Sequence, residues 1–211
     1  MIKNIVFDLG GVIVPLNKIA CIRAFDEIVG YHDFANMLSL TRQTGFFDKY
    51  ERGFISSKEF RNFIRKNSGS KSKGLDKKIE DREIDYSLNC FLKDIPQNKI
   101  NTINFFKQDY RIFILSNTNP IGMTYVHKLF REKGYEIEDL FEMLFLSYEM
   151  KTAKPDRDIF EKMIFSAKII PNETLYIDDG LANCHIANEL GFHTIFYDPK
   201  TDLYDEILKF L

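Results

Sequence analysis

After Pro96 the chain alternates between short apolar runs and longer stretches with helical spacing, and few folds accept that alternation. The apolar runs fall at 111–116 (RIFILS), 143–146 (MLFL), 174–177 (TLYI) and 193–196 (HTIF). Around them, residues 100–106, 125–133, 156–168, 182–190 and 202–211 read as helices. A further run, Ile5-Val6-Phe7, opens the chain. It is apolar and β-prone with no helical spacing, as a strand buried on both faces would be. Strands that alternate with helices predict an α/β fold with a doubly wound parallel sheet.

Residues 17–91 have a different character, helix and turn without a convincing strand. Pro15 ends the opening segment. Ile19, Ile22, Phe25, Ile28 and Val29 recur at helical spacing, and Phe34, Met37, Leu38 and Thr41 predict a second helix. A short helix over 45–51 is closed by Gly53, and Ser56 or Ser57 can cap the next, whose inward side carries Phe60, Phe63 and Ile64. Residues 67–73 (NSGSKSK) read as a helix–helix connection, followed by a charged helix over 75–90. The expected organisation is an α/β core of 1–16 and 92–211, with 17–91 inserted as a helical cap over the strand ends.

Composition narrows the partners. With a formal net charge of −2 the chain has no global pull toward nucleic acid or membrane. No apolar run approaches the ~20 residues that span a bilayer. The N-terminus enters a strand pattern without a signal-peptide plan, so a cytoplasmic location is expected. Cys21, Cys90 and Cys184 are widely spaced and odd in number, which fits free thiols better than a disulfide framework or a zinc site. The expected partner is a small molecule, and the expected state a monomer or weak homo-oligomer.

Polar residues follow several of the strands. Asp8 follows the first run, with Gly10 and Gly11 allowing a tight turn and a close backbone approach to a ligand or metal. In an open α/β sheet ligands bind beyond the carboxyl ends of strands, which is where Asp8 falls. Ser116-Asn117-Thr118-Asn119 ends the second strand. It can cap a helix, or hold an anion through a hydroxyl and backbone N–H groups. Lys154 precedes Pro155 and so is held out of the helix that starts there, with Asp156 in its first turn. Asp178-Asp179-Gly180 ends the fourth run. Adjacent carboxylates repel, and a divalent cation relieves them, although a solvated acidic turn is the plain alternative.

Asp8, Ser116, Lys154-Pro155 and Asp178-Asp179 with Asn183, in that order, resemble the haloacid dehalogenase-like hydrolase superfamily, whose members are mostly magnesium-dependent phosphatases. The resemblance covers essentially the whole chain, and residues 50–56 (YERGFIS) are similar to a turn of that family's helical cap. It implies a phosphohydrolase that forms an aspartyl-phosphate on Asp8. Mg²⁺ would be held by Asp8, the Gly10 carbonyl, and Asp178 or Asp179. Lys154 would neutralise the nucleophile and a phosphate oxygen. Ser116 and the Asn117 N–H would bind another oxygen, and Asn183 would orient the loop or Lys154. The substrate implied is a small phosphorylated metabolite, a sugar phosphate first.

One position departs from the family pattern. Most of its phosphatases carry a second Asp two places after the nucleophile to protonate the leaving alkoxide, and here that place is Gly10. Either another group or a water substitutes, or the leaving group needs little help, or the protein is a slow or silent relative that binds without turnover. A branch resembling glucose-1-phosphate phosphatases also carries Asp-Leu-Gly, which favours retained activity. The rival chemistry, metal-free 2-haloacid dehalogenation, lacks the acidic pair. In the cap, Arg42, Phe46, Phe47, Tyr50 and Arg52 could face the substrate, against a plainer reading of core aromatics and surface arginines. His32, His127, His185 and His193 have no ligand spacing.

Overall fold

The computed structural model describes residues 1–38, 45–69 and 78–211. Its centre is a five-stranded sheet, β1 (Asn4–Phe7), β2 (Arg111–Ser116), β3 (Met143–Leu146), β4 (Thr174–Asp178) and β5 (His193–Phe196). The order across the sheet is β3-β2-β1-β4-β5 and every pairing is parallel. The expected runs form these strands almost residue for residue.

Period-two alternation sorts the strand side chains onto two buried faces. Ile5, Phe7, Ile112, Ile114, Leu175 and Ile177 join one cluster with α5 (Gln97–Phe106), α6 (Pro120–Glu132) and α11 (Leu203–Phe210). Val6, Phe113, Leu115 and Tyr176 join the other with α9 (Arg157–Ala167) and α10 (Leu181–Glu189). Each fully covered Ile or Phe contributes about 1.5–3 kcal/mol relative to exposure, which is why β1 tolerates no polar residue between Ile5 and Phe7. Because β1 pairs with β2 on one side and β4 on the other, the winding reverses between β1 and β4. That is the crevice where such sheets bind ligands.

The apolar residues after Asp8 do not extend β1. Val12, Ile13 and Val14 are fully buried in a tight turn, with the N–H groups of Ile13 and Val14 both donating to the Leu9 carbonyl (2.9 and 2.8 Å). Lys99 of α5 donates to the Val12 carbonyl, its ammonium 5.1 Å from the Tyr197 ring centre.

Among the described residues, the segment between β1 and α5 is helix and turn. α1 (Lys18–Ala24) widens into a π-turn at Phe25–Val29, then a 3₁₀ turn covers His32–Met37, and α2 (Gly45–Glu51), α3 (Ser57–Asn67) and α4 (Asp81–Asn89) follow. These elements bury their own cluster, with Tyr50 stacked on Phe60 at 4.4 Å, and Ile121 of α6 enters it from the sheet side. Ser56 is the N-cap of α3, in a full capping box with Glu59.

Several boundaries differ from expectation. The helix expected at 34–41 is the 3₁₀ turn, with Thr41 outside the described residues. The helix expected from 75 starts at Asp81, where Glu80 and Glu83 form a capping box; of the 67–73 connection, residues 70–73 lie outside the described residues. α6 begins at Pro120 rather than 125, because the Asn119 side chain accepts from the Gly122 N–H at 2.9 Å. Two single-turn helices, α7 (Ile137–Leu140) and α8 (Ser147–Met150), carried no clear period in sequence. The three cysteines are free, and among the described residues no helix is long and apolar enough to cross a membrane.

Candidate active site

In register, Phe7 of β1 lies beside Ile114 of β2 and Ile177 of β4. Asp8 and Asp178 therefore leave the sheet at the same level, one on each side of the crevice. Lys154 joins them. Its ammonium lies 2.9 Å from Asp8 Oδ1 and 2.7 Å from Asp178 Oδ2, and all three side chains are nearly or wholly buried. Burial works against the Lys154 charge, yet Asp178 and Asp8 together hold it above the ordinary lysine range.

Asp178 is saturated with donors. Oδ2 accepts from Lys154 and the Tyr176 hydroxyl, and Oδ1 accepts from the Gly180 N–H (2.7 Å) and Asn183 Nδ2 (2.9 Å). Asn183 thus braces the loop through Asp178. Asp8 Oδ1 takes the Leu9 N–H at 2.6 Å as well as Lys154, while Oδ2 has no protein donor among the described residues. Asp179 is less buried and lies against Gly11. Gly11 has φ +82°, and a Cβ there would sit 2.0 Å from Asp179 Oδ2, so both its backbone and its missing side chain are required.

Asp8, Asp178 and Asp179 can place one carboxylate oxygen each within 4.8 Å of one another. Three carboxylates facing a single ammonium leave excess negative charge. Burial and its anionic neighbour Asp178 push the Asp179 carboxyl up, and burial pushes Asp8 up against the pull of Lys154. A hard divalent cation with oxygen ligands, such as Mg²⁺, fits this set.

The site opens into a cavity of about 390 Å³, within the usual range for small-molecule sites. Asp8, Gly10, Ser116, Asn117, Lys154, Asp179 and Asn183 line it from the sheet side, and Asp178 sits behind them. Ser116 is buried, and among the described residues its hydroxyl makes only a long 3.4 Å contact to the next carbonyl. The Asn117 side chain, for which sequence suggested no role, clamps the Lys154 peptide. Nδ2 donates to the Lys154 carbonyl and Oδ1 accepts the Lys154 N–H, both at 2.8 Å. The segment between β1 and α5 lines the other side of the cavity with Lys18, Leu38, Phe47, Glu51, Leu88 and Asn89 among others.

Three consecutive insertion residues are tied to the segment after β3. The Glu51 carbonyl accepts from Ser147 Oγ at 2.6 Å, and that same hydroxyl accepts the Thr118 N–H at 2.9 Å. Arg52 pairs with Asp156 at 2.5 Å and with Asp48 at 2.9 Å, and the Gly53 carbonyl accepts from Lys151 at 2.6 Å. Arg52 is therefore a buried latch, neither surface nor substrate contact. Asp156 is the N-cap residue of α9, which begins at Arg157, so Pro155 lies outside the helix instead of opening it. Tyr50 and Phe46 pack in the insertion core, and Phe47 alone of the three aromatics reaches the cavity. Arg42 lies outside the described residues. Glu51 lies in the 50–56 stretch noted in the sequence, but sequence suggests no role for its side chain, nor for Asn89, Ser147 or the Tyr176 hydroxyl; polar residues on helices and strands are too common to single out.

Sheet order, acidic cluster and lysine bridge define a hydrolase of the haloacid dehalogenase-like family, and the chain belongs to that family, which it matches over residues 2–206. It is 34% identical over 212 residues to the D-ribitol-5-phosphate phosphatase of Bacteroides thetaiotaomicron, covering 100% of this chain and 99% of that one. A family enzyme from the same organism, crystallised with magnesium and inorganic phosphate, superposes with a TM-score of 0.88 at 37% identity, covering 97% and 98% of the two chains. A predicted hydrolase of the family from Porphyromonas gingivalis gives 0.89 at 36% identity, covering 100% and 98%.

Proposed function

We propose that this protein is a Mg²⁺-dependent phosphatase of a small polyol or sugar phosphate, acting through an aspartyl-phosphate on Asp8. The observation that carries the reading is the Asp8–Lys154–Asp178 bridge, with Asp179 beside it, opening into a cavity of metabolite size. The full-length similarity to a D-ribitol-5-phosphate phosphatase points to an open-chain polyol phosphate as the first substrate to test. The division into a core of 1–16 and 92–211 and a cap of 17–91 belongs to the same reading: the cap covers the strand ends and shapes the pocket.

Each residue then has a defined task. Asp8 attacks phosphorus, which splits one hard displacement into two easier ones. Lys154, locked by its two carboxylate partners and by the Asn117 clamp, neutralises the nucleophile and a non-bridging oxygen. Ser116 Oγ and the Asn117 N–H hold another oxygen. Asp8, Asp179 and the Gly10 carbonyl would hold Mg²⁺ directly, and Asp178, already saturated with donors, would stand behind them. The metal when bound supplies charge neutralisation of the phosphoryl group. Cover from the cap would limit water around these groups and so strengthen each of these interactions.

The test is phosphate release from D-ribitol 5-phosphate and a sugar-phosphate panel, with and without Mg²⁺, with Asp8→Asn as control. Metal-dependent turnover that Asp8→Asn abolishes is expected. Turnover that persists in Asp8→Asn would refute the nucleophile, and no turnover on any ester would favour a binding role for the fold.

A further inference from the structure

An alkoxide leaving group needs a proton, and Gly10 cannot supply one. Among the described residues, the titratable side chains lining the cavity are those of Asp8, Lys18, Glu51, Lys154 and Asp179. Asp8 is the nucleophile in the reading above, and Lys154 is fixed between two carboxylates. Asp179 belongs to the acidic cluster, and Lys18 donates to the Leu38 carbonyl. Glu51 is left, and among the described residues its carboxyl has no hydrogen bond.

Its position suits the missing task. In-line displacement sends the leaving oxygen away from Asp8, so from the strand ends into the half of the cavity that the insertion lines. Glu51 is on that side, at the last position of α2. Its backbone is held by the Ser147 hydroxyl, which also fixes Thr118 in the segment after β2, and its two successors are anchored by Asp156 and Lys151. A proton-transfer group needs that degree of fixation to the reacting centre.

We propose that Glu51, from the insertion, is the general acid and base of this enzyme in place of the residue missing at position 10. The proposal rests on the phosphatase reading. In the first step an Asp8 oxygen bonds to phosphorus and the ester P–O bond breaks. Its electron pair stays on the leaving oxygen, which takes the Glu51 proton and departs as an alcohol. In the second step a water oxygen bonds to phosphorus and passes a proton to the Glu51 carboxylate, and the bond from phosphorus to Asp8 breaks to release phosphate. Burial, with Asp48 next in effect and Arg52 opposing, pushes the Glu51 carboxyl up to about 8, so it carries its proton at neutral pH.

The experiment compares Glu51→Gln with wild type in saturating Mg²⁺ on two esters, D-ribitol 5-phosphate and p-nitrophenyl phosphate. The nitrophenolate leaves without protonation, so the esters separate proton donation from general damage to the site. For the alkyl ester kcat/KM is expected to fall about 10²–10⁴-fold. For the nitrophenyl ester it falls far less, and a burst of one nitrophenolate per chain precedes slow turnover, because the second step has lost its base. Glu51→Asp, which keeps a carboxyl, falls between Gln and wild type on the alkyl ester. Equal losses on both esters without a burst, or an alkyl-ester rate that does not change, overturn the assignment while leaving the phosphatase reading intact. A wild type that cleaves neither ester takes down both.

Discussion

Asp179→Asn should make the metal-free protein more stable and the metal-loaded protein less responsive, a crossing of sign that few other roles would produce. Carboxylate oxygens of Asp8, Asp178 and Asp179 lie within 4.8 Å of one another. Two unit charges at that separation repel by ~3.5 kcal/mol at an effective dielectric of about 20. Lys154 offsets much of this for Asp8 and Asp178, which it touches, and less for Asp179. Removing the Asp179 charge is therefore expected to stabilise the metal-free fold by about 1–3 kcal/mol, or roughly 2–12 °C in Tm for a chain of this size. Mg²⁺ at a hundred times its Kd should stabilise wild type by about 2.7 kcal/mol, roughly 5–10 °C, and the variant hardly at all. Because burial and Asp178 raise the Asp179 carboxyl in the fold, its charge costs stability only as pH rises above the ordinary carboxylate value. The advantage of the variant should accordingly vanish in acid and grow toward neutral pH. Thermal melts in EDTA and in Mg²⁺, from pH 4 to 8, measure all of this. A variant that melts below wild type in EDTA, or that keeps the full Mg²⁺ shift, would refute the reasoning.

Four further outcomes follow from the structure. Gly53 has φ +66°, and a Cβ there would lie 2.0 Å from the Tyr148 carbonyl oxygen; Gly53→Ala should cost more than ~2 kcal/mol in urea denaturation and loosen the insertion from the sheet. Asn117→Ala removes both hydrogen bonds that hold the Lys154 peptide and should cost ~2 kcal/mol together with at least a ~10-fold drop in kcat. Ser116→Ala should leave stability unchanged while weakening inhibition by inorganic phosphate, since among the described residues its hydroxyl makes no short bond. With Glu51 raised to about 8, between Asp48, Arg52 and the more distant Asp8, alkyl-ester kcat/KM should hold through neutral pH and decline above about pH 8. The decline should be absent in Glu51→Gln.

The strands and the residues at their ends were legible because each is written locally. A buried parallel strand must be apolar throughout, so 5–7, 111–116 and 174–177 declare themselves, and Asp8, Ser116 and Asp178 stand out where the runs stop. The start of α3 was legible at its Ser56 cap, whereas α6 and α4 start at their caps, Asn119 and Glu80, several residues from where the spacing placed them, and the π-turn after Ala24 breaks the period of α1. Pro155 misled by two residues: α9 begins at Arg157, with Asp156 at its N-cap and engaged by Arg52 across the joint.

What the sequence determined by itself is the alternation that makes the sheet and the order of carboxylate, hydroxyl, lysine and carboxylate pair along it. What only the tertiary structure decided is how those groups share charge and what faces them across the cavity. Asp178 and Asp179 are neighbours of like chemistry in the chain. Yet one is sealed behind Lys154 and Tyr176 with every lone pair engaged, and the other is turned to the cavity against Gly11. Glu51 is an ordinary helix-end glutamate until Ser147, 96 positions away, fixes its backbone beside Thr118. Local sequence sets backbone conformation and burial pattern, but desolvation and proximity between distant segments set protonation, and those exist only once the chain has closed.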